Sequence, residues 1–320
     1  MINRYAELLF LIGRCLERAD NYARIINIYY SMRHELMETD EGYAWERLAS
    51  AVGHTHELST PANEWVVLHD LTFDRTNPDS IFSSIQQVRN HIRTLRPLLP
   101  GELWDIINTF YLWLKEQDVS KLMLQSPYLF YKHISEQLAL FNGTADAAMV
   151  RGQHWNFIQT GKFVERMNGT VRIIHSTYRN MKQDEKLLDE ELLYNRFLVL
   201  LKSCGGYDAF RKFHAHHVRL TEVTEFLLLN AEFPRSIRFG INSLASYIER
   251  NPLLHHSIKN LSIQTSDVLS SIRAGRQRHG ENITEEVLLL LQQLQLTVSD
   301  LGLLFADICY QEEAPVTVEV

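Results

Sequence analysis

The sequence predicts an all-α protein in which one helical-bundle unit is duplicated, so that two pseudo-symmetric halves pack together. Apolar residues recur three or four positions apart in most segments, which is the spacing of amphipathic helices, and the alternation typical of strands is weak. Glycine (14 residues) and proline (8 residues) are sparse for a chain of 320 residues, which leaves few breaks. The third observation is a block near the N-terminus that recurs in the second half of the chain.

Ordinary turn residues separate the predicted helices. The breaks fall at Pro61, Asn77-Pro78, Pro100-Gly101, Pro127, Asn142-Gly143, Gly205-Gly206, Pro234 and Asn251-Pro252. The predicted helices cover residues 2–38, 43–57, 63–70, 79–96, 101–118, 127–142, 149–182, 186–203, 207–213, 216–229, 235–250, 256–276 and 282–310. The last ten residues, 311–320, are acidic, and we expect them to form a mobile tail.

The recurring block contains a Gly-basic-x-x-Glu-Arg motif. Residues 12–26 read IGRCLERADNYARII and residues 160–174 read TGKFVERMNGTVRII, so that Gly13 corresponds to Gly161 at an offset of 148. Two further pairs of segments correspond in the same order, at offsets of 153 and 156: residues 48–53 with 201–206, and residues 71–85 with 227–241. Three blocks in one order indicate duplication and fusion.

The duplication predicts where the chain divides. We expect a first helical repeat unit at residues 1–148 and a second at residues 149–310, each the size of an ordinary domain. Paired halves of a fused duplication commonly sit about a pseudo-two-fold axis, as the subunits of an isologous dimer do.

Composition excludes several function classes. The net charge of −7 is opposite to that of a typical nucleic-acid-binding protein. The three cysteines, Cys15, Cys204 and Cys309, are scattered in apolar stretches, as expected of reduced, buried thiols. The N-terminal segment does not resemble a signal peptide, and we find no run of about 18 apolar residues to cross a membrane. The sequence therefore predicts a cytoplasmic protein that binds neither nucleic acid nor a membrane.

Metal and cofactor chemistry also lack a recognisable signature. The histidines form clusters, but no set of three or four converging ligands is evident, and no Glu-x-x-His occurs. The sequence contains no P-loop, no dinucleotide-binding glycine motif and no Gly-x-Ser-x-Gly elbow. We expect no metal and no cofactor.

The motif helix has a charged face that large apolar residues interrupt. In the first copy Phe10, Ile25 and Ile28 lie among the charges, and in the second copy Trp155, Ile158 and Ile173 do the same. Such a face is typically covered by protein, and covered charges must be paired. The predicted ion-pair network consists of Arg14, Glu17, Arg18, Arg24, Lys162, Glu165, Arg166 and Arg172.

Within this network the sequence suggests specific partners. The i,i+3 spacing favours the pairs Arg14–Glu17 and Lys162–Glu165 along each helix, with the remaining arginines reaching adjacent helices. Two interpretations stand. The network is a structural seam, which we favour, or it is a cleft that binds an anionic group and uses Glu17 or Glu165 as an acid–base residue.

The two proline segments form a second candidate site. Pro78 and Pro234 are each expected to open a helix, with Asn77 as a cap for the first. Arg75, Arg235 and Arg238 lie nearby, and a helix N-terminus with arginines close by can hold phosphate or carboxylate. The alternative, which we favour, is a plain helix start with surface arginines.

Four segments together resemble the bacterial alpha-E family, and the resemblance runs over roughly residues 1 to 310. They are GRCLERADNYAR at 13–24, RNHIRTLRPLLPGELWDIIN at 89–108, GKFVERMNGTVR at 161–172 and FLLLNAEFPRSIRFGINSL at 226–244. The resemblance implies an all-helical protein without established catalysis. It also implies a setting of ATP-dependent peptide-bond formation, with a circularly permuted ATP-grasp protein and, in some cases, a transglutaminase-like protein as partners.

The chain departs from the family pattern in three places. The name-giving run of the family is of the Glu-Arg-Ala-Glu type. It reads Glu17-Arg18-Ala19-Asp20 in the first copy here and Glu165-Arg166-Met167-Asn168 in the second copy. The segment from Arg89 to Arg93 lacks the acid that the family has there. If those acids were catalytic, the second half would be inactive.

Three function hypotheses follow. The first is an accessory partner of an ATP-grasp-type peptide ligase, which would bind the ligase or an anionic peptide substrate. The second is an enzyme acting on a carboxylate or amide substrate through the Glu/Arg cluster, and the third is a structural oligomer. A partner protein should combine paired motif charges with an exposed apolar patch, whereas an enzyme should hold Glu17 or Glu165 in an open pocket beside unpaired arginines.

Overall fold

The computed structural model describes residues 2–33, 41–53, 62–184, 190–214, 218–247, 252–279 and 285–311. All regular structure in these segments is helical, which confirms the predicted all-α class. The helices are α1 (Ile2–Ser31), α2 (Glu41–Ala51), α3 (Glu64–Thr72), α4 (Ile81–Leu95), a 3-10 turn (Arg96–Leu98), α5 (Gly101–Lys115), α6 (Val119–Gln125), α7 (Pro127–Ala148), α8 (Gln153–Gln183), α9 (Glu190–Ser203), α10 (Tyr207–Phe213), α11 (Leu220–Leu229), α12 (Ile237–Tyr247), α13 (Pro252–His279) and α14 (Glu285–Gln311).

Several helix ends differ from the prediction; for example, α2 ends at Ala51 and α13 already begins at Pro252. Two further differences concern predicted breaks. Helix α6 fills the predicted gap between residues 118 and 127, because Asp118 caps it by accepting a hydrogen bond from the Lys121 backbone amide at 2.8 Å. Helix α7 continues through Asn142-Gly143 to Ala148. The Asn142 side-chain amide donates a hydrogen bond to the Leu138 carbonyl one turn earlier, and a Cβ atom on Gly143 would meet nothing within 4 Å. Of the predicted mobile tail, residues 311–320, Gln311 ends α14 and residues 312–320 lie outside the described residues.

Helices α1 and α8, which carry the two motif copies, form the centre of the molecule. They pack against each other more extensively than any other pair of helices. Helix α1 also packs against α4, α7 and α14, and α8 packs against α2, α12 and α14. Their apolar faces contribute Ile12, Ala19, Ile26, Val171 and Ile174 to one continuous core. The motif is therefore placed between helices rather than on the outer surface.

Two glycines set how closely these central helices approach. A Cβ atom on Gly13 would stand 2.0 Å from the Ile158 carbonyl oxygen, and one on Gly161 would stand 2.0 Å from the Phe10 carbonyl oxygen. Side chains of any size at these positions would collide with the backbone of the opposite helix. The first glycine of each motif thus allows the backbones of α1 and α8 to touch.

Helix α14 is the most apolar long helix. Among the described residues, the window Glu285–Phe305 alone has the length and composition of a membrane-crossing helix, although the sequence led us to expect no such stretch. The same composition occurs in core helices of folded proteins, and Leu291, Leu294 and Leu301 of α14 are fully buried here. Its outward face carries Leu289, Leu296 and Leu303, which are 60%, 57% and 64% exposed.

The cysteines agree with the expectation as far as they are described. Cys15 and Cys204 are buried free thiols, and burial raises the pKa of each to about 11. Both are therefore neutral at physiological pH. The side chain of Cys309 lies outside the described residues.

Candidate functional site

The motif glutamates and arginines form two reciprocal pairs across the α1–α8 crossing. Arg166 binds Glu17 with both Nε and Nη2, at 2.9 and 2.7 Å. Arg18 binds Glu165 in the same way, at 3.0 and 3.3 Å. Each arginine presents its planar fork to both oxygens of a carboxylate, which is the strongest geometry for this pair. The Glu-Arg dipeptide of one helix thus complements that of the other.

The basic residue that follows each motif glycine is placed differently from our prediction. Arg14 does not pair along its own helix with Glu17; its Nε donates to Glu165 on α8 at 2.9 Å. Lys162, at the equivalent position of α8, donates to the Asn142 amide oxygen on α7 at 3.3 Å. The predicted i,i+3 pairs are therefore wrong, because the two helices approach closely enough for each carboxylate to be reached from the opposite side.

Both glutamates are buried and ionised. Their side chains are only 3% and 4% exposed. Burial alone would raise the pKa of Glu17, but the positive charges of Arg166 and Arg235 outweigh this effect and hold the pKa well below its usual range. For Glu165 the same balance of burial against Arg18 and Arg14 gives a pKa of about 2. Neither carboxylate can exchange a proton at neutral pH without losing two arginine partners.

The two proline segments flank this crossing with opposite charges. Asp79, which follows Pro78, pairs with Arg18. Arg235, which follows Pro234, donates to Glu17 at 2.6 Å and to Asp20 at 2.6 Å. The loop of each proline segment therefore closes over one end of the motif pair. Arg235 thereby joins the predicted network, to which sequence reasoning had not assigned it.

Each loop leads into a helix through a serine cap. Ser80 and Ser236 accept hydrogen bonds from the backbone amides of Ser83 and Phe239, at 3.1 and 3.0 Å. The prolines accordingly precede the helices and do not open them. Asn77 does not cap α4 as predicted; its side chain bridges the Asp79 amide and the Asp70 carbonyl within the loop.

Arg24 and Arg172, the last arginines of the two motif copies, bind helix C-termini. Arg24 donates from Nε to the Ser203 carbonyl at the end of α9, at 2.8 Å. Arg172 donates to the Val52 carbonyl just beyond α2, at 2.6 Å. A cation at this position satisfies carbonyls that the helix leaves unpaired and complements its dipole. Arg24 also pairs with Asp20 at 2.7 Å.

The candidate anion site is not assembled around one helix start. Arg235 is ion-paired with Glu17 and Asp20. Arg238 is exposed on α12. Arg75 is also exposed, and its guanidinium group lies over the Phe82 ring, 4.7 Å from the ring centroid. Whether any of the three holds an anion stays a prediction.

Sequence reasoning missed the acidic partners at the edge of the network. Asp20 follows the first motif, and Asp79 follows Pro78. Nothing in one copy of the repeat alone marks either aspartate as an ion-pair partner. The signal was the comparison of the copies: Asp79 and Arg235 occupy equivalent positions after the prolines, with opposite charge. A second missed group is the buried Asp184, which pairs with Arg47 of α2 and Arg196 of α9.

Taken together, the cluster is a closed set of ion pairs. Each motif glutamate holds two guanidinium groups. Of the apolar residues on the charged face, Phe10, Ile25, Ile158 and Ile173 are buried as expected, whereas Ile28 and Trp155 are only partly buried. The arrangement fixes the relative position of α1 and α8, and it offers neither glutamate as a free acid or base.

Comparison with known proteins finds distant relatives in mycobacteria. No solved structure matches the chain. An uncharacterised protein of Mycobacterium bovis and two from strains of Mycobacterium tuberculosis are each 23% identical over 268 residues. The aligned region covers 76% of this chain and only 29% of each relative, so the chain spans less than a third of their length.

The family comparison covers nearly the whole chain. The Alpha-E family, described as a predicted alpha-helical domain with a conserved ER motif, matches residues 1–307. Glu17-Arg18 and Glu165-Arg166, the reciprocal pairs at the helix crossing, are this chain's two copies of such a motif. The chain belongs to the Alpha-E family.

Proposed function

We propose that this chain is a non-catalytic partner of an ATP-grasp-type peptide ligase in the bacterial cytoplasm. The observation that carries the proposal is the closed ion-pair cluster, in which both motif glutamates are buried and bound by two arginines each. Residues whose charges are all paired at the contact between two helices have a structural role. The function then depends on surfaces that this architecture presents.

The competing enzyme hypothesis needs a carboxylate that can accept or donate a proton. An efficient general acid or base has a pKa near the working pH and lies within reach of substrate. Glu165 has a pKa of about 2 and is 4% exposed, and Glu17 is similarly placed. These properties favour the architectural role of the motif over a catalytic one.

We further infer that the chain arose by duplication and that its halves are related by a pseudo-two-fold axis. The supporting contacts come in pairs, and shifting both residue numbers of one contact by 148 gives the other contact of the pair. Gly13 lies against Ile158 and Gly161 against Phe10, and Arg18 binds Glu165 as Arg166 binds Glu17. Such exchange is the signature of an isologous interface.

The length of the relatives supports a partner role. In the mycobacterial proteins the matched region is 29% of the chain, so there it is continuous with a much larger polypeptide. A surface suited to such a neighbour is the leucine ridge of α14, formed by Leu289, Leu296 and Leu303. Their seven-residue spacing places them in one row along the helix, and exposed apolar rows of this kind mark protein contacts.

The class of partner comes from the family. The resemblance implies ATP-grasp proteins and transglutaminase-like proteins as associates, and it brings the setting of peptide-bond formation or peptide modification. Of these, the ATP-grasp ligase would supply activated carboxylates, while this chain would supply a binding surface. A transglutaminase-like protein is a second associate under the same proposal.

The test is co-purification of the tagged chain from its bacterial host, followed by mass spectrometry. We expect stoichiometric recovery of an ATP-grasp protein, and its loss with the triple variant Leu289→Gln, Leu296→Gln and Leu303→Gln. The matched control replaces three exposed leucines of α6 and α7, namely Leu124, Leu129 and Leu140, which should not alter recovery. Recovery of the chain alone would overturn the stable-complex proposal.

A further inference from the structure

A row of arginines and aromatic rings runs along one face of α4 and α5. Arg75 lies over Phe82 at 4.7 Å, and the Phe82 ring contacts Tyr111 at 5.7 Å. Arg89 lies over Tyr111 at 4.7 Å and over Trp104 at 5.4 Å. Arg96 lies over Trp104 at 5.0 Å and ends the row. We refer to these six residues as the arginine–aromatic ladder.

The charges of the ladder are not neutralised within the protein. Among the described residues, no carboxylate forms an ion pair with Arg75, Arg89 or Arg96, nor with Arg93, which is exposed one helical turn after Arg89. The nearby Asp74 accepts hydrogen bonds from the Thr76 amide and hydroxyl. In the part of the chain that the structure describes, Glu102 and Asp105 of α5 form no ion pair with these arginines. The motif arginines, in contrast, all have internal partners.

The ladder also holds its arginines in place. The Arg89 Nε donates to the Asn108 side-chain oxygen at 2.8 Å, which fixes the guanidinium plane and leaves its terminal nitrogens available. Stacking on the rings restrains Arg75 and Arg96 in the same manner. Guanidinium groups that are ordered before a ligand arrives lose less conformational entropy when they bind it.

We propose that the arginine–aromatic ladder binds an acidic peptide segment. Its three arginines and the neighbouring Arg93 present four guanidinium groups in and beside α4, none of them ion-paired to a carboxylate of the described residues. A pair of N–H groups on a guanidinium matches the two oxygens of a carboxylate. From residue 82 to residue 96 the helix rises about 21 Å, the length of roughly six residues of extended peptide. The inference rests on the proposed function only for the idea that a peptide is the relevant ligand.

A single-stranded nucleic acid is the competing ligand for such a surface. Binding of bases needs open aromatic faces on which they can stack. In the ladder, guanidinium groups already lie over Tyr111 and Trp104, and Phe82 is buried. The chain's net charge of −7 also opposes a long polyanion more than a short acidic segment. These observations favour the peptide.

The experiment measures fluorescence anisotropy of a labelled Glu-rich peptide of about six residues with the isolated full-length chain. A peptide with Gln in place of Glu is the neutral comparison. We expect the double variant Arg93→Ala and Arg96→Ala to weaken binding of the Glu peptide roughly tenfold. Arg89→Lys, which keeps the charge but loses the fork, should weaken it as well. Arg211→Ala, an exposed arginine over the Tyr207 ring on α10, should leave it unchanged.

Three results would overturn the proposal: equal binding of the Glu and Gln peptides, equal losses in the double variant and in the Arg211 control, or tighter competition by an oligonucleotide than by the Glu peptide. Unchanged melting temperatures of the variants show that folding is not the cause. Because no ligase is present in this assay, its failure is separate from failure of the co-purification experiment.

Discussion

At the scale of single residues, the structure predicts that Glu165 stabilises the fold. Replacing it with Gln removes the negative charge that binds Arg14 and Arg18. Their two partly buried guanidinium groups then lose this carboxylate partner. Breaking a buried ion pair from one side typically costs about 3 kcal/mol or more. We expect Glu165→Gln to lower the free energy of unfolding by that amount, measured by urea denaturation.

A matched control is Glu136→Gln on α7. Glu136 pairs with Lys132 one helical turn away, but both side chains are more than half exposed. Such surface pairs contribute less than about 1 kcal/mol. Equal, small effects of the two substitutions would contradict the architectural role of Glu165 and would reopen the enzyme hypothesis.

The same residue predicts a pH dependence of stability. The folded-state pKa of Glu165 is about 2, below its ordinary value of 4.5, so folding favours the ionised form. Its contribution is therefore complete above about pH 4.5 and is lost as the pH falls towards about 2. We expect the unfolding free energies of the wild type and of Glu165→Gln to converge across this window. A constant difference down to the lowest pH would contradict the assignment.

At the scale of helices, the α1–α8 crossing predicts opposite effects of the same substitution at two glycines. Gly13→Ala would place a Cβ atom 2.0 Å from the Ile158 carbonyl oxygen, so the helices must separate and strain the ion pairs. Overpacking of this kind costs about 1 to 3 kcal/mol. Gly143→Ala on α7 meets nothing within 4 Å and should stabilise the helix by up to about 1 kcal/mol.

Thermal denaturation of the two variants provides the measurement. A lower melting temperature for Gly13→Ala together with an equal or higher one for Gly143→Ala is the expected result. Similar shifts in the same direction would show that the glycine of the motif is not required for the close approach of the helices.

The helices themselves were largely predictable from the sequence, and the reasons for the failures are physical. Periodicity identifies long amphipathic helices such as α1 and α8, but α6 has only seven residues, too few for a periodic signal. Asn142-Gly143 looked like a break, yet an exposed glycine in the middle of a helix costs only about 1 kcal/mol, which the packing of α7 offsets.

The site was predictable only in part. Because the same charges recur in both copies, the repeat identified the six network residues that do form ion pairs: Arg14, Glu17, Arg18, Arg24, Glu165 and Arg166. The other two, Lys162 and Arg172, instead donate to the Asn142 amide oxygen and the Val52 carbonyl. Their partners depended on the distance between α1 and α8, which spacing along one helix cannot reveal. The i,i+3 pairs were therefore wrong, and Asp79 and Arg235, which lie in the loops before α4 and α12, were not recognised as partners of the motif residues.

At the scale of the whole molecule, the packing predicts that the two halves unfold together. Helix α1 makes its largest interface with α8, in the other half of the chain, and the core is one continuous cluster. Neither residues 1–148 nor residues 149–310 would keep a covered motif face alone, since Glu17 and Glu165 would each lose their arginines from the opposite half. Chains of this size often unfold in steps, so a single transition is not the default expectation.

Tryptophan positions make this testable. Four of the five tryptophans, Trp45, Trp65, Trp104 and Trp113, precede residue 149, and Trp155 lies on α8. Urea denaturation of a variant that retains Trp155 alone, with Phe at the other four positions, should give a fluorescence transition that coincides with the loss of helical circular dichroism. A fluorescence transition at a different urea concentration would mean that the halves are separate cooperative units. In that case the ion pairs at the crossing would act as a docking contact between two independently stable domains.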